Sequence, residues 1–305
     1  MSVLSKPYFH DEAAAFAFVE GIIWGGEPVC PHCGCTGRIG ALTAKDKKGR
    51  DRAGLKKCYD CRKQFTVRVG TIFEDSHLPM TKWLQAIHLM CSSKKGVSAH
   101  QLHRTLEITY KTAWFLEHRI REAMRTGTLA PFGGNGTPVE ADETFIGREP
   151  GKAKRRGAGH KIKVLTLVDR ETGRASSHVI NDLRVETIQP IIREAVAKEA
   201  RLMTDEAHHY GIIGQDFAEH STTKHKDGEY ARGDIHSNTV EGYFGIFKRG
   251  MRGVYQKASK KHLHRYLAEF DFRYSTREAR GVDDQARTVK ALEGVIGKRL
   301  QYRSI

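Results

Sequence analysis

The 305-residue chain has no apolar run approaching the roughly 18 residues that span a membrane. Its opening stretch, "MSVLSKPYFHDEAAAFAFVEGIIWGGEP", carries Asp11 and Glu12 where a secretory leader would be apolar. It predicts a short amphipathic helix and a loop instead. Internal repeats and low-complexity tracts are missing too. Acidic charge is scarce: 36 Asp and Glu face 51 Lys and Arg, for a net charge of +15 and a pI near 9.6. Such a surface attracts polyanions, nucleic acid first and membrane surface second. Cysteine is scarce beyond residue 75, where Cys91 in "HLMCSS" stands alone and reads as core. These absences predict a cytoplasmic, nucleoid-associated protein with no membrane partner. In that compartment cysteines favour metal over disulfides. Hydrophobic residues make up 39% of the chain, enough for a sizeable core.

Five of the six cysteines crowd into residues 1–75. "CPHC" supplies Cys30 and Cys33, and "CYDC" supplies Cys58 and Cys61, with 24 residues between the pairs. Zinc takes four soft or borderline ligands at tetrahedral corners, and each C-x2-C turn offers two of them. The pattern predicts a zinc ribbon with a structural Zn2+, with Cys35 and His32 as competing ligands. "KQFTVRVGTIF" has strand character after the second pair.

Residues 76–128 are helical by pattern. Trp83, Ala86, Ile87 and Met90 repeat at i, i+3, i+4, i+7. "SAHQLHRTL", a short "EIT" turn and "YKTAWFLEHRIREAM" then give the helix-turn-helix pattern. In that reading Thr109, Tyr110, Lys111 and Thr112 open the recognition helix, with Lys111 and Thr112 as DNA contacts. A plain three-helix bundle would look the same. The Gly- and Pro-rich stretch that ends at Pro138 predicts a linker over 129–138.

Residues 139–282 alternate strand and helix signals, and 283–305 read as a helical tail. "PVEADETFIG", "KIKVLTLVD" and "RASSHVI" predict three antiparallel strands, "VETIQPIIREAVAKEA" a crossover helix, and "RLMTDEAHHY" a fourth strand. This is the start of an RNase H-like fold, in which the fourth strand lies beside the first. Asp142 and Asp205, distant in sequence, would then be neighbours. Paired carboxylates repel unless a cation separates them, and oxygen ligands suit Mg2+ or Mn2+. Glu143 points away from Asp142 by strand alternation, Asp169 reads as a turn residue, and Glu206 as structural. The whole chain reads as multi-domain α+β: zinc ribbon, helical bundle, and an RNase H-like catalytic domain with a mixed sheet.

In "HSNTVEGYFGIFKRG", Val240, Tyr243, Phe244 and Phe247 form a helical stripe. Asn238, Glu241 and Lys248 share a neighbouring face, so phase cannot choose between Asn238 and Glu241 as a third ligand. Asn238-x-x-Glu241 also fits a capping box. Charge favours Glu241, because an anionic oxygen binds Mg2+ better than an amide does. Lys248 can hold a DNA phosphate, with Arg249 beside it. The loop "GREPGKAKRRGAGHK" offers Lys154, Arg155 and Arg156 to a DNA backbone.

The pieces "CPHC…CYDCRKQFTVRVGTIFEDSHLP", "VEADETFIG", "TDEAHHY" and "HSNTVEGYFGIFKRGMRGVY…SKKHLHRYLAEFDFRYSTR" span nearly the whole chain. In their order and spacing the chain resembles the zinc-ribbon transposases of bacterial insertion sequences. These are relatives of the Merlin transposons of animals and carry an ISXO-type DDE domain. The resemblance implies Mg2+-dependent cleavage and strand transfer at inverted-repeat ends of double-stranded DNA. It implies Asp142 and Asp205 as the first two catalytic carboxylates, Glu241 or Asn238 as the third ligand, and Lys248 after it. Two DNA ends must be paired, so a homodimer or higher oligomer is expected. A domesticated, non-catalytic DNA-binding regulator is the alternative, and the intact carboxylate set argues against it. A His-hydrophobe-His nuclease built on His262 and His264 needs a strand, whereas "KHLHRYLAEFDFRY" has helical spacing.

Overall fold

The computed structural model describes residues 2–300 apart from 46–48, 50, 51, 126, 128, 129, 224–227 and 230. Two compact units emerge, one from residues 1–125 together with 282 onward, the other from 126–281. The expected linker over 129–138 and tail over 283–305 thus lie partly outside the described residues, at Leu129 and 301–305.

The first unit begins with helix α1 (Glu12–Trp24). Asp11 caps it by accepting from the Ala14 amide at 2.7 Å, and Gly25 ends it in the left-handed region. Strands β1 (Ile39–Ala41), β2 (Lys56–Cys58) and β3 (Gln64–Phe65) form an antiparallel sheet in that order. Helices α2 (Met80–Ser92), α3 (Ala99–Leu106) and α4 (Tyr110–Met124) follow. The stripe of Trp83, Ala86, Ile87 and Met90 is buried, and Cys91 is core as its surroundings suggest. Between α3 and α4, Glu107 takes the left-handed conformation, and Thr109 caps α4 by accepting from the Thr112 amide.

The second unit is built on a five-stranded sheet. Its strands are β4 (Pro138–Ile146), β5 (Ile162–Asp169), β6 (Ala175–Ile180), β7 (Arg201–Asp205) and β8 (Glu219–Thr223). The spatial order is β6-β5-β4-β7-β8; β4, β5 and β6 pair antiparallel, and β7 runs parallel to both β4 and β8. This is the mixed sheet with the RNase H-like strand order that the sequence predicts. Helix α5 (Val185–Ala195) and the short α6 (His208–Ile213) close one face around Val139, Ala141, Leu165, Leu167 and Leu202. The hairpin β9 (Ala231–Arg232) and β10 (Ile235–His236) leads into α7 (Asn238–Gly250). Helices α7 and α8 (Lys260–Ser275) cover the other face, where Val240, Tyr243, Phe244 and Phe247 meet Val164, Val168 and Phe270.

Two details depart from the sequence reading. Helix α5 stops at Ala195 rather than running to residue 200, because the segment turns extended and bridges to Phe132. The Phe132 amide donates to Ala195 O and the Ala197 amide to Phe132 O, both at 2.8 Å. Helix α7 runs on into a π turn, Met251–Tyr255, whose wider coil has no signature in the hydrophobic stripe. Helix α9 (Asp284–Glu293) packs against α2, α1 and α4 of the first unit. Among the described residues no helix is long and apolar enough to cross a membrane.

Candidate active site and metal centre

The thiols of Cys30, Cys33, Cys58 and Cys61 converge within 4.8 Å of one another, with Cys30–Cys61 at 3.7 Å and Cys33–Cys58 at 3.6 Å. Each C-x2-C knuckle is followed by a residue at positive φ, Gly34 at 77° and Arg62 at 61°. The tight turn aims both sulfurs of a pair to one side. Amides of Cys61 and Asp60 pull the Cys58 thiol down to about 7. The Cys35 amide lowers Cys33 as well, but desolvation and the three neighbouring thiols outweigh it and push Cys33 up to about 12. Such crowding is what a tetrahedral dication relieves, so the donor set fits Zn2+. Cys35 belongs to a second grouping with Cys58 and Asp60, whereas exposed His32 joins neither.

The candidate catalytic carboxylates come from three elements. On the parallel strands β4 and β7, Glu140 pairs with Met203. Two residues farther along each strand stand Asp142 and Asp205. Alternation sends Val139 and Ala141 into the α5 side of the sheet, and Glu140 and Asp142 toward α7. Asp142 is pushed up to about 8, first by burial, then by the charge of Glu143, with Asp205 and Glu241 adding to it. Its Oδ1 accepts from the Glu143 amide at 2.6 Å, which works in the other direction. Asp205 closes β7 and accepts from the Ala207 amide at 2.9 Å.

Glu241 lies in the first turn of α7, exposed, with the Ser237 hydroxyl donating to its Oε1 at 3.3 Å. The cap position belongs to Ser237, so Asn238 is already the first helical residue and the Asn238–Glu241 capping box does not form. Asn238 is exposed as well. Lys248, two turns along, sits over the Phe244 ring; burial lowers its pKa and the charge of Asp142 opposes that. Glu143 faces the opposite side, accepting from Tyr210 Oη at 2.7 Å and meeting His209 Nε2 at 2.9 Å. Asp169 is the expected turn residue, accepting from the Thr172 amide at 2.9 Å.

A repelling carboxylate group around a largely buried acid has the chemistry of a divalent-cation site. Among the described residues no three carboxylate oxygens close within 4.8 Å, unlike the thiols.

The sequence reading missed Glu140. It is fully buried, accepts from Arg170 Nε at 2.5 Å and from the Val240 amide at 2.8 Å, and lies 3.2 Å from His236 Nδ1. The signal was present: residues 140 and 142 share a strand face. The proposed DNA contacts are spread out. Lys154, Arg155, Arg156 and Arg249 are exposed, as is Lys111, while half-buried Thr112 is engaged with Thr109. His262 and His264 lie on helix α8 with buried Leu263 between them, so the strand that a His-hydrophobe-His nuclease needs is not formed.

Comparison with known proteins adds three observations. The ISXO2-like transposase domain matches residues 134–275, and the transposase zinc-ribbon domain matches residues 10–64. Over these two segments the chain is similar to the zinc-ribbon transposases of insertion sequences. An uncharacterized protein in transposable element ISH50 of Halobacterium salinarum is 29% identical over 87% of this chain and 91% of its own length. Among solved structures, a chain in a simian T-cell lymphotropic virus intasome in complex with PP2A regulatory subunit B56 gamma matches 56% of this chain and 67% of its own. It does so at 14% identity and a TM-score of 0.30, too low to bear on fold or function.

Proposed function

We propose that this chain is a DNA transposase that binds the inverted-repeat ends of its element and catalyses metal-dependent phosphodiester cleavage and strand transfer. What supports the reading is geometric: Asp142 and Asp205 each stand two residues beyond the paired Glu140 and Met203 on β4 and β7, and the Val240 amide bond to Glu140 holds the first turn of α7, which carries Glu241, against β4. Asp142, Asp205 and Glu241 would hold Mg2+ or Mn2+. Bound there, the cations would activate a water or a 3′-hydroxyl and offset charge on the leaving oxygen.

The chain's own residues supply the rest. Glu140 holds the first turn of α7 against β4, and so fixes where Glu241 stands relative to the strand of Asp142. Lys248 holds a non-bridging phosphate oxygen, leaving the carboxylates to orient the attacking and departing groups in line. The zinc ribbon and the α3–α4 pair recognise the ends, and two copies or more bring both ends together. The basic surface gives this binding its salt dependence.

The test is incubation of purified, zinc-loaded protein with a labelled duplex carrying the element's end, with Mg2+ or with EDTA. A Mg2+-dependent nick that leaves a 3′-hydroxyl, followed by joining to target DNA, supports the reading. Tight binding with no cleavage in Mg2+ or Mn2+ would favour the regulator instead.

A further inference from the structure

Beyond the carboxylates, the second unit carries a cavity of about 510 Å3. It lies between the root of the 147–161 loop and the π turn that follows α7. Its apolar lining is Phe145, Ile146, Ile162, Met251 and Leu263. Its cations are Arg148, Lys161, Lys248, Arg252, Lys257 and Lys260, against a single carboxylate, Glu149. Lys260 already neutralises Glu149 at 2.6 Å, and Lys152 pairs with it as well. Arg148, Lys161, Arg252 and Lys257 have no acidic partner among the described residues.

Like charges gathered at one rim raise the local positive potential and attract an anion. A duplex backbone needs only an exposed basic ridge, which the loop tip at Lys154, Arg155 and Arg156 already offers. A hollow with an apolar lining and a cationic rim suits one flat, apolar-faced group bearing phosphates. Its volume lies within the range of about 300–1,000 Å3 common for small-ligand pockets. Lys248 links the hollow to the carboxylates, since it lines the cavity and interacts electrostatically with Asp142.

We infer that this cavity holds a single nucleotide of the DNA strand, drawn out of the duplex next to the phosphate that reacts. Its base lies against Phe145 and Ile146, the part-exposed apolar residues of the lining, and its flanking phosphates meet Lys161, Arg252 and Lys248. Extruding a base adjacent to the cleaved bond unstacks the duplex end and opens the backbone to in-line attack. The inference rests on the transposase reading and deepens it, because it names the form of DNA the site takes.

The test places 2-aminopurine, one position at a time, through the nucleotides around the terminal phosphate of the element-end duplex. Ca2+ replaces Mg2+ so that the DNA is bound and not cut. The wild-type protein is compared with Ser259→Trp, which fills the rim, and with the Lys161→Ala/Arg252→Ala double variant. Ser259 holds the cap position of α8 without a side-chain capping bond, so its replacement removes no hydrogen bond from that helix start. Expected is a several-fold rise in emission at one position with wild type, lost in both variants at protein concentrations that saturate the duplex. Should Ser259→Trp lower duplex binding, the double variant decides by the same reading. Wild type that binds the duplex with unchanged emission at every position overturns the cavity inference and leaves the transposase reading standing. Retention of the rise in Ser259→Trp overturns it as well. Failure to bind the duplex at all overturns both.

Discussion

The buried carboxylate of Glu140 accepts a hydrogen bond from the backbone amide of Val240 at 2.8 Å, tying the strand that carries Asp142 to the helix that carries Glu241. The same carboxylate takes Arg170, which in turn donates to the carbonyls of Asp234 and His236 at the hairpin before α7. One side chain thus positions the helix start. Glu140→Ala would leave the Arg170 guanidinium largely buried without its partner, a change that costs about 3–5 kcal/mol. Chemical denaturation should show that loss. Glu140→Gln keeps an acceptor and most of the volume, and should lower cleavage roughly 10–100-fold with much less unfolding, as loss of a positioning partner does. Full activity in Glu140→Gln would remove its positioning role.

The raised pKa of Asp142 sets a pH dependence. Its folded value of about 8 lies above the ordinary 3.8, so the fold favours the neutral acid. That stabilisation is complete below 3.8 and is lost as pH rises through about 8. A cation must displace the proton. Binding of Mg2+ at pH 7 should therefore release about one proton, and affinity should rise up to about tenfold per pH unit until pH 8. Titration calorimetry in buffers of different ionisation enthalpy measures this directly. Heats that do not depend on the buffer would contradict it.

Zinc should be held by the four convergent thiols and by neither competitor. Cys30→Ser or Cys58→Ser should lose the metal and with it the order of the β1–β3 sheet, since such small domains fold on their metal. Cys35→Ser and His32→Ala should keep it. Metal content of the purified variants is the readout.

The loop tip should contribute to affinity through charge alone. Neutralising Lys154, Arg155 and Arg156 together should flatten the dependence of log K on log salt by about 0.9 for each phosphate that these side chains neutralise in the wild type. An unchanged slope would place DNA elsewhere.

Much of this architecture is readable in the residues themselves. Alternation in "VEADETFIG" and "KIKVLTLVD" marks β4 and β5, and the stripe from Val240 to Phe247 marks α7. The paired cysteine spacing marks the ribbon. What local pattern cannot carry is partnership across the chain. Cys91 meets Arg287, and Glu140 meets Val240, across about two hundred and one hundred residues of sequence. The end of α5 was invisible for the same reason, because Phe132 supplies the competing bridge. Helical phase put Asn238 and Glu241 on one face. Only the backbone conformation reveals that Ser237 holds the cap position.

The most direct measurement compares Mg2+-dependent cleavage of the element's end by wild type, Asp205→Asn, Glu241→Gln and Asn238→Ala. The account predicts that wild type and Asn238→Ala cut, while Asp205→Asn and Glu241→Gln fall to background with duplex binding intact. An active Glu241→Gln beside a dead Asn238→Ala would contradict it and make the amide the third ligand.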